Sequence, residues 1–325
     1  MIRATVKGAD YILTIGYSDK NSTKLKKHLC KINLRDVRMY NKPALGIFLM
    51  ILGMLTFPVG DAAAKYLSSE YSSITLSAIR FLVGAVILVP LALFQINWKK
   101  GDIRLDKTML VEQLVRSLLI IGATVLFIEA ISKLPLADAV GAYLIGPIVA
   151  TLLAIVILKE QLNWRKSIAL FLGFTGALII VQPGYSMHIG FVYALLAGAC
   201  YGAFLVAIKG SRRMISPLAS VAIQTSIGAM LLIPFCIAGI IAIDWSDAGL
   251  FAIMGLCSAI ANILTIMALK FASASLLSPL VYVEIVGATL LGYFVFRNMP
   301  SAFTIIGIVI IVVSGLLLLE RRKAD

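Results

Sequence analysis

Charge is scarce in this chain: 14% of its 325 residues are Asp, Glu, Lys or Arg, where a soluble domain carries about 25%. Histidine is scarcer still, with only His28 and His188. The four cysteines, Cys30, Cys200, Cys236 and Cys257, show no metal-ligand spacing, so a zinc or iron–sulfur site has no ligand set. No nucleophile–base constellation stands out, and no phosphate-binding loop is present to support ATP-driven pumping. No cofactor and no enzymatic activity are expected. What abounds is apolar: 60% of the residues are hydrophobic, more than a soluble surface can hide. The apolar residues come in unbroken runs of about 20, not in the alternating segments of about 10 that build a membrane barrel. The expected class is an all-α integral membrane protein.

The net charge of +13 resembles a nucleic-acid signature, but the basic residues are not clustered on one face. They sit in the N-terminal segment and in the gaps between ten apolar segments, placed at 44–67, 74–95, 114–131, 137–158, 167–182, 189–208, 218–242, 248–269, 274–296 and 301–319. With the N-terminus inside, 25 of the 29 Lys and Arg fall on the cytoplasmic side and only Lys133 and Arg297 outside. That bias orients both termini to the cytoplasm of the inner (plasma) membrane. The partners expected are the lipid bilayer and a small-molecule substrate, with no nucleic acid, in a monomer or homodimer. Residues 1–43 hold ten basic and three acidic residues. They read as a disordered cytoplasmic tail, an amphipathic surface arm, or residues ahead of a true start at Met39.

The halves 44–182 and 189–319 resemble each other. At an offset of 144, Gly46 matches Gly190, Lys65 matches Lys209, Gly84 matches Gly228 and Pro90 matches Pro234; at 138, Ala150-Thr151-Leu152-Leu153 recurs as Ala288-Thr289-Leu290-Leu291. Five helices per half is an odd number, so the second copy enters the membrane upside down. Ten transmembrane helices in two inverted five-helix repeats is the architecture of many secondary transporters.

Several motifs carry a family resemblance. The first half has Gly60-Asp61 with Lys65, Ala78-Ile79-Arg80-Phe81, Lys133-Leu134-Pro135-Leu136-Ala137-Asp138-Ala139, Gly146-Pro147, Leu158-Lys159-Glu160 and Gly173-Phe174-Thr175-Gly176. The second has Ala288-Thr289-Leu290-Leu291-Gly292-Tyr293, with Asn298 where the repeat usually has an acidic residue and Ile285 opposite Pro147. Over residues 44–320 the chain resembles an EamA-type member of the drug/metabolite transporter superfamily. The resemblance implies ten helices in two EamA repeats and transport of an amino acid, nucleotide, vitamin, cofactor or drug. It leaves the substrate and the direction open.

Ionisable groups inside a bilayer cost roughly 2.5–3.5 kcal/mol on insertion scales and are functional candidates. Asp61 and Lys65 are one helical turn apart and can pair, and Arg80 on the second segment can reach Asp61. This trio reads either as a structural ion pair clamping the first two helices or as a substrate contact. Glu129, Lys133 and Asp138 read as a wet interfacial cluster or as a vestibule for a cationic or zwitterionic solute. Glu284 falls near the middle of the ninth segment with no cation expected at its depth. Desolvation there favours the neutral acid, which suits either a proton-carrying site or an interhelical hydrogen bond. Tyr143, Tyr201, Asn262 and Tyr282, with Gln224, either line a polar cavity or tie helices together. Glu160 reads as a turn or cap residue. The leading function is a secondary transporter of a small organic metabolite, proton-coupled or not, working by alternating access. The alternatives are a multidrug or metabolite efflux pump and, further off, a membrane enzyme or sensor.

Overall fold

The computed structural model describes residues 2–6, 9–13, 43–95, 107–159, 164–181, 188–209, 216–272, 277–298 and 300–317. It forms two separate units, Met1–Asn41 and Lys42–Asp325. In the first, β1 (Ile2–Val6) and β2 (Ala9–Leu13) pair antiparallel, with Val6 opposite Ala9 and Ile2 opposite Leu13. This differs from the expectation of a disordered tail. The pairing leaves Lys7-Gly8 between the strands, a two-residue spacing with glycine that suits a hairpin, and β-formers such as Ile2, Val6, Tyr11 and Ile12 flank it. The expected alternative start at Met39 falls outside the described residues.

The second unit is helical throughout its described residues. Its helices are α1 (Pro43–Leu67), α2 (Ser73–Gln95), α3 (Lys107–Lys133), α4 (Leu136–Tyr143), α5 (Gly146–Ile157), α6 (Trp164–Val181), α7 (Ile189–Lys209), α8 (Pro217–Ile241), α9 (Ala248–Phe271), α10 (Val283–Phe296) and α11 (Ala302–Leu317). Short 3₁₀ turns precede α9 at Trp245–Asp247 and α10 at Ser278–Tyr282. Seven stretches are long and apolar enough to cross a membrane, with α4 and α5 together making one of them. Three shorter apolar helices lie at Ser167–Val181, Leu280–Phe296 and Ala302–Ser314. Large apolar side chains such as Phe94, Phe171, Met230 and Phe235 stand more than two-thirds exposed, as a lipid-facing surface requires. The chain is a multi-pass membrane protein.

Local chemistry sets the boundaries. Pro217 opens α8 at a position where its missing N–H is not needed, and the Ser216 hydroxyl accepts from the Ala219 N–H at 3.2 Å. The third segment is longer than expected, since α3 runs to both sides of 114–131. Two expected single helices are broken. The 137–158 segment divides at Leu144-Ile145, because Pro147 has no N–H to offer the Tyr143 carbonyl. The 274–296 segment is described from Leu277, where a 3₁₀ turn containing Pro279 gives way to α10 at Val283. Both chains of helix end on a left-handed residue, Lys159 (φ 55°) and Arg297 (φ 56°).

Eight of the helical segments form a closed circuit of packed neighbours: α1, α9, α2, α8, α3, α7, then α4–α5, then α10, which returns to α1. Helices α6 and α11 pair with each other and flank α4 and α5. The α1–α9 seam is built on small residues. Ideal Cβ atoms on Gly46, Gly53 and Gly60 would lie 3.1, 3.2 and 3.0 Å from the carbonyls of Ala268, Ala261 and Met254. Those backbones approach closely because nothing larger stands between them. The α4–α5 break is covered the same way. A Cβ at Gly198 or Gly202 would meet the Tyr143 or Gly146 carbonyl at 2.6 Å.

Candidate functional site

Arg80 on α2 places Nη1 2.9 Å from Asp61 Oδ1 on α1, with the side chains 11% and 2% exposed. The expected ion pair between these two residues is therefore formed. The approach is a charge contact and not an aligned hydrogen bond, since Oδ1 accepts none. Helix α9 lies between α1 and α2 in the circuit, and its Cys257 senses both charges.

Lys65 takes no part in that pair, contrary to expectation. Its Nζ donates to the carbonyls of Ile131 at 2.7 Å and Leu134 at 2.6 Å, and stands 5.5 Å from the Phe296 ring centroid. These carbonyls belong to the last turn of α3, where they have no helical partner and carry the negative end of the helix dipole. They attract an ammonium more effectively than a carboxylate already held by a guanidinium.

Glu284 lies in the first turn of α10, not in mid-helix as expected, because the 3₁₀ turn delays the α-helix to Val283. It is partly exposed, and among the described residues it makes no hydrogen bond or ion pair. The charges of both Asp61 and Arg80 reach Glu284. Tyr143, the last residue of α4, and Tyr201 on α7 sense Glu284 as well. Their rings belong to a row of Phe127, Tyr143, Tyr201 and Phe204 with successive centroids 5.0, 5.4 and 6.1 Å apart. Neither tyrosine hydroxyl has a partner among the described residues. The structure thus gathers Asp61, Arg80, Tyr143, Tyr201 and Glu284 from five elements. A free carboxylate, two free phenols and a compensated ion pair can receive a proton or a polar organic solute.

Other expected site residues fall elsewhere. The Asn262 amide donates to the Ser258 carbonyl on its own helix at 2.8 Å, and Tyr282 is buried in the main apolar core. Gln224 donates to the Ser220 hydroxyl at 3.2 Å, which donates to Gln113 Oε1 at 3.3 Å, so it ties α8 to α3. Asp138 is buried, 8% exposed, and one of its oxygens lacks a hydrogen-bond partner among the described residues. Glu129 pairs with Lys133 at 3.1 Å and accepts from the Ser73 hydroxyl. Arg116 was not singled out by the sequence, yet its guanidinium donates to the Ala207 carbonyl at 3.1 Å and fastens α3 to α7. In the expected segment 114–131 it stood beside the end, where it gave no signal beyond a cytoplasmic charge. Glu160 lies outside the described residues.

Comparison with known proteins accords with this geometry. The S-adenosylmethionine uptake transporter of Rickettsia prowazekii is 22% identical over 279 residues, covering 86% of this chain and 93% of that protein. The pseudopaline exporter CntI of Pseudomonas aeruginosa is 25% identical over 289 residues, covering 86% and 97%. A solved crystal structure superposes with a TM-score of 0.58 at 17% identity, covering 86% of this chain and 99% of its own, and so shares the fold. The model of the EamA-like transporter family matches twice, over residues 44–182 and 188–320. These two matches span nearly all of the helical unit, and the chain belongs to the EamA-like transporter family.

Proposed function

We propose that this chain is a secondary transporter of the inner (plasma) membrane. It carries a small organic metabolite by alternating access through the eight-span circuit, with Glu284 as the group that takes up either a proton or a positive charge on the cargo. The observation that carries the reading is Glu284 itself: a carboxylate at a helix break, without a hydrogen-bond or ion-pair partner among the described residues, beside the Asp61–Arg80 pair and the Tyr143 and Tyr201 phenols. Broken helices with exposed termini are where transporters of this kind place their binding sites. Asp61 and Arg80 hold the first two spans together and frame the site, Lys65 serves the neighbouring helix end, and Tyr143 and Tyr201 offer hydroxyls and ring faces. Asn262 and Tyr282 act as supports.

The helix count and symmetry in this proposal are ten crossings in two inverted repeats, both termini cytoplasmic. Support comes from the packing. When each span is exchanged for the one five places along, the pairs α1–α9 and α3–α7 interchange, as do α9–α2 and α8–α3, while α2–α8 and α6–α11 map onto themselves. The α4–α5 break and the start of α10 are equivalent at the offset of 138, and so are the left-handed caps Lys159 and Arg297. The unit functions as a monomer or homodimer.

The relatives are named for opposite directions, uptake and export, so export of a metabolite is the second reading. A transport assay in sealed vesicles of both orientations decides. S-adenosylmethionine heads a panel of amino acids, vitamins and nucleotide-like metabolites, each tested with and without a pH gradient. Carrier-dependent flux of one panel member supports the proposal, and the sign of the pH effect gives the direction of coupling. No flux for any member in either orientation, from folded protein, would sink it.

A further inference from the structure

We infer that Asp138 is a positioning residue of this transporter: its carboxylate is ionised in the fold, Lys65 supplies the charge that keeps it so, and the couple seats α4, the helix that ends on Tyr143. Pairing elsewhere leaves these two residues over. Asp61 is taken by Arg80, Glu129 by Lys133 and Glu112 by Arg116. Lys65 and Asp138 form no direct ion pair. The Lys65 ammonium is engaged with the Ile131 and Leu134 carbonyls, and Asp138 Oδ1 accepts no hydrogen bond among the described residues. Each nevertheless feels the charge of the other. Asp138 is buried, so little water screens the interaction.

Three features favour the carboxylate over the neutral acid at Asp138. The first is the positive charge of Lys65. The second is the helix dipoles. Asp138 stands in the first turn of α4, while Lys65 stands in the last turn of α1 and on the last carbonyls of α3, so each charge lies at helix ends that suit its sign. The third is the Thr304 hydroxyl of α11, which reaches the carboxylate. The Ser301 hydroxyl accepts the Thr304 N–H at 3.1 Å and lies 3.0 Å from the Thr304 hydroxyl. With Ser301 donating there, Thr304 keeps its own proton for Asp138. Desolvation pulls the other way, so with the Lys65 charge gone the neutral acid becomes the favoured form. No other charged group on these elements replaces Lys65. Asp61 is held by Arg80, Lys133 by Glu129, Arg297 beyond α10 is exposed, and residues 302–317 of α11 include no ionisable side chain.

The couple matters because of where α4 leads. Three residues past Asp138, a Cβ on Gly141 would lie 2.9 Å from Ile308, which is one turn past Thr304 on α11. The two helices therefore run side by side, in step, from Asp138 and Thr304 to Gly141 and Ile308. Two residues further α4 ends at Tyr143, whose ring stands 5.4 Å from that of Tyr201. Lys65 grips the end of α3, and its charge holds Asp138 as the acceptor for α11. The connection from α3 into α4 is thereby fastened on both sides, and with it the place of the Tyr143 ring.

The test reads the protonation of Asp138 and needs no cargo, so it stands apart from the outcome of the transport assay. Infrared difference spectra are recorded at neutral pH on the full chain reconstituted in lipid. Asp138→Asn is expected to lose a carboxylate stretch relative to the parent and no neutral-acid carbonyl stretch. Lys65→Gln keeps N–H donors for the Ile131 and Leu134 carbonyls but removes the charge. It is expected to gain a neutral-acid carbonyl stretch that is absent from the double variant Lys65→Gln, Asp138→Asn. Lys65→Arg keeps the charge and is expected to match the parent. The tyrosine ring band that Tyr143→Phe removes is expected to shift in both Asp138→Asn and Lys65→Gln. A neutral-acid band in the parent that Asp138→Asn abolishes would overturn the proposal. So would an Asp138 that stays ionised in Lys65→Gln, or a Tyr143 band that does not move. Should Lys65→Gln not fold, Lys65→Met takes its place. Should neither fold, the comparison of the parent with Asp138→Asn decides: a carboxylate sustains the proposal and a neutral acid overturns it.

Discussion

Arg80 and Asp61 form a charge pair at 2.9 Å that bridges two helices separated in the circuit by a third. Taking one partner away leaves the other charge buried without compensation, which typically costs roughly 3–5 kcal/mol, whereas removing both is far less costly. Asp61→Asn and Arg80→Gln are each expected to lower the yield of folded protein in the membrane and its melting temperature in detergent. The double variant is expected to recover a large part of that loss. Strictly additive losses would mean that the contact carries no coupling energy.

The loops at the same end carry a second, weaker fastening. The Tyr71 hydroxyl donates to Asp247 Oδ2 at 3.0 Å and accepts the Asp244 backbone N–H at 3.1 Å, while its ring meets Phe251 edge-on. Tyr71→Phe keeps the ring contact and deletes both hydrogen bonds. At about 0.5–1.5 kcal/mol per net hydrogen bond, a fall of a few degrees in melting temperature is expected. An unchanged melting temperature would show that solvent replaces the hydroxyl without cost.

Asp244 adds a pH dependence to that loop. The Ser246 backbone N–H donates to its carboxylate at 3.1 Å and holds its pKa below the usual aspartate value. A folded pKa below the unfolded one means stability present above about pH 3.9 and lost as the pH falls through the lower folded value. The melting temperature is therefore expected to drop on acidification below about pH 4 by slightly more in the parent than in Asp244→Asn. The reverse order would contradict the capping geometry.

How much of this could be read from residue order follows from what each feature depends on. Span positions were legible because a helix that must bury about 20 residues in hydrocarbon leaves an unbroken apolar run, and α1, α2, α7 and α8 begin and end within a residue or two of the runs. The Asp61–Arg80 pair was legible because two opposite charges stranded in apolar runs have few other ways to be satisfied. The partners of Lys65 were not, because main-chain carbonyls have no signature in side-chain order. Glu284 was expected in mid-helix and stands in a first α-turn, because run length conceals a change from 3₁₀ to α geometry. Pro147 and Pro279 were the available signals for the two breaks, but hydropathy alone does not weigh a missing N–H. The circuit of eight helical segments depends on which faces meet, and small-residue seams such as Gly46, Gly53 and Gly60 mark such a face without identifying its partner.

The charge bias gives a topology that reporter fusions can check. Fusions after Ser73, His188 and Trp245 are expected to read outside, and fusions after Gly101, Ser211 and Lys323 inside. The contacts of Lys65 with the end of α3 then lie toward the outer face. Two or more reversed signals would undo both the orientation and the inverted relation of the repeats.

Glu284 is the most exposed point of the proposal. Its carboxylate is drawn from α10, faces the Asp61–Arg80 pair and two phenols, and has no hydrogen-bond or ion-pair partner among the described residues. Asp61 and Arg80 nearly cancel, so an ionised Glu284 leaves the site one positive charge short. A proton or a cationic group on the cargo supplies it, and the two compete for the same oxygen atoms. Glu284→Gln keeps the shape and the hydrogen-bonding capacity but removes the charge, so the site no longer needs a counter-ion. Abundance and melting temperature are expected to hold or rise slightly, since an unpaired acid has been neutralised. Transport driven by a pH gradient is expected to fall at least ten-fold, while exchange of cargo across the membrane without a gradient either persists or weakens through a raised KM. The conservative variant Glu284→Asp retains the charge on a shorter arm and is expected to keep the pH dependence with a poorer KM. If Glu284→Gln leaves rate, affinity and pH profile all unchanged, the carboxylate serves only the packing of α10, and the coupling site must be sought in Asp61.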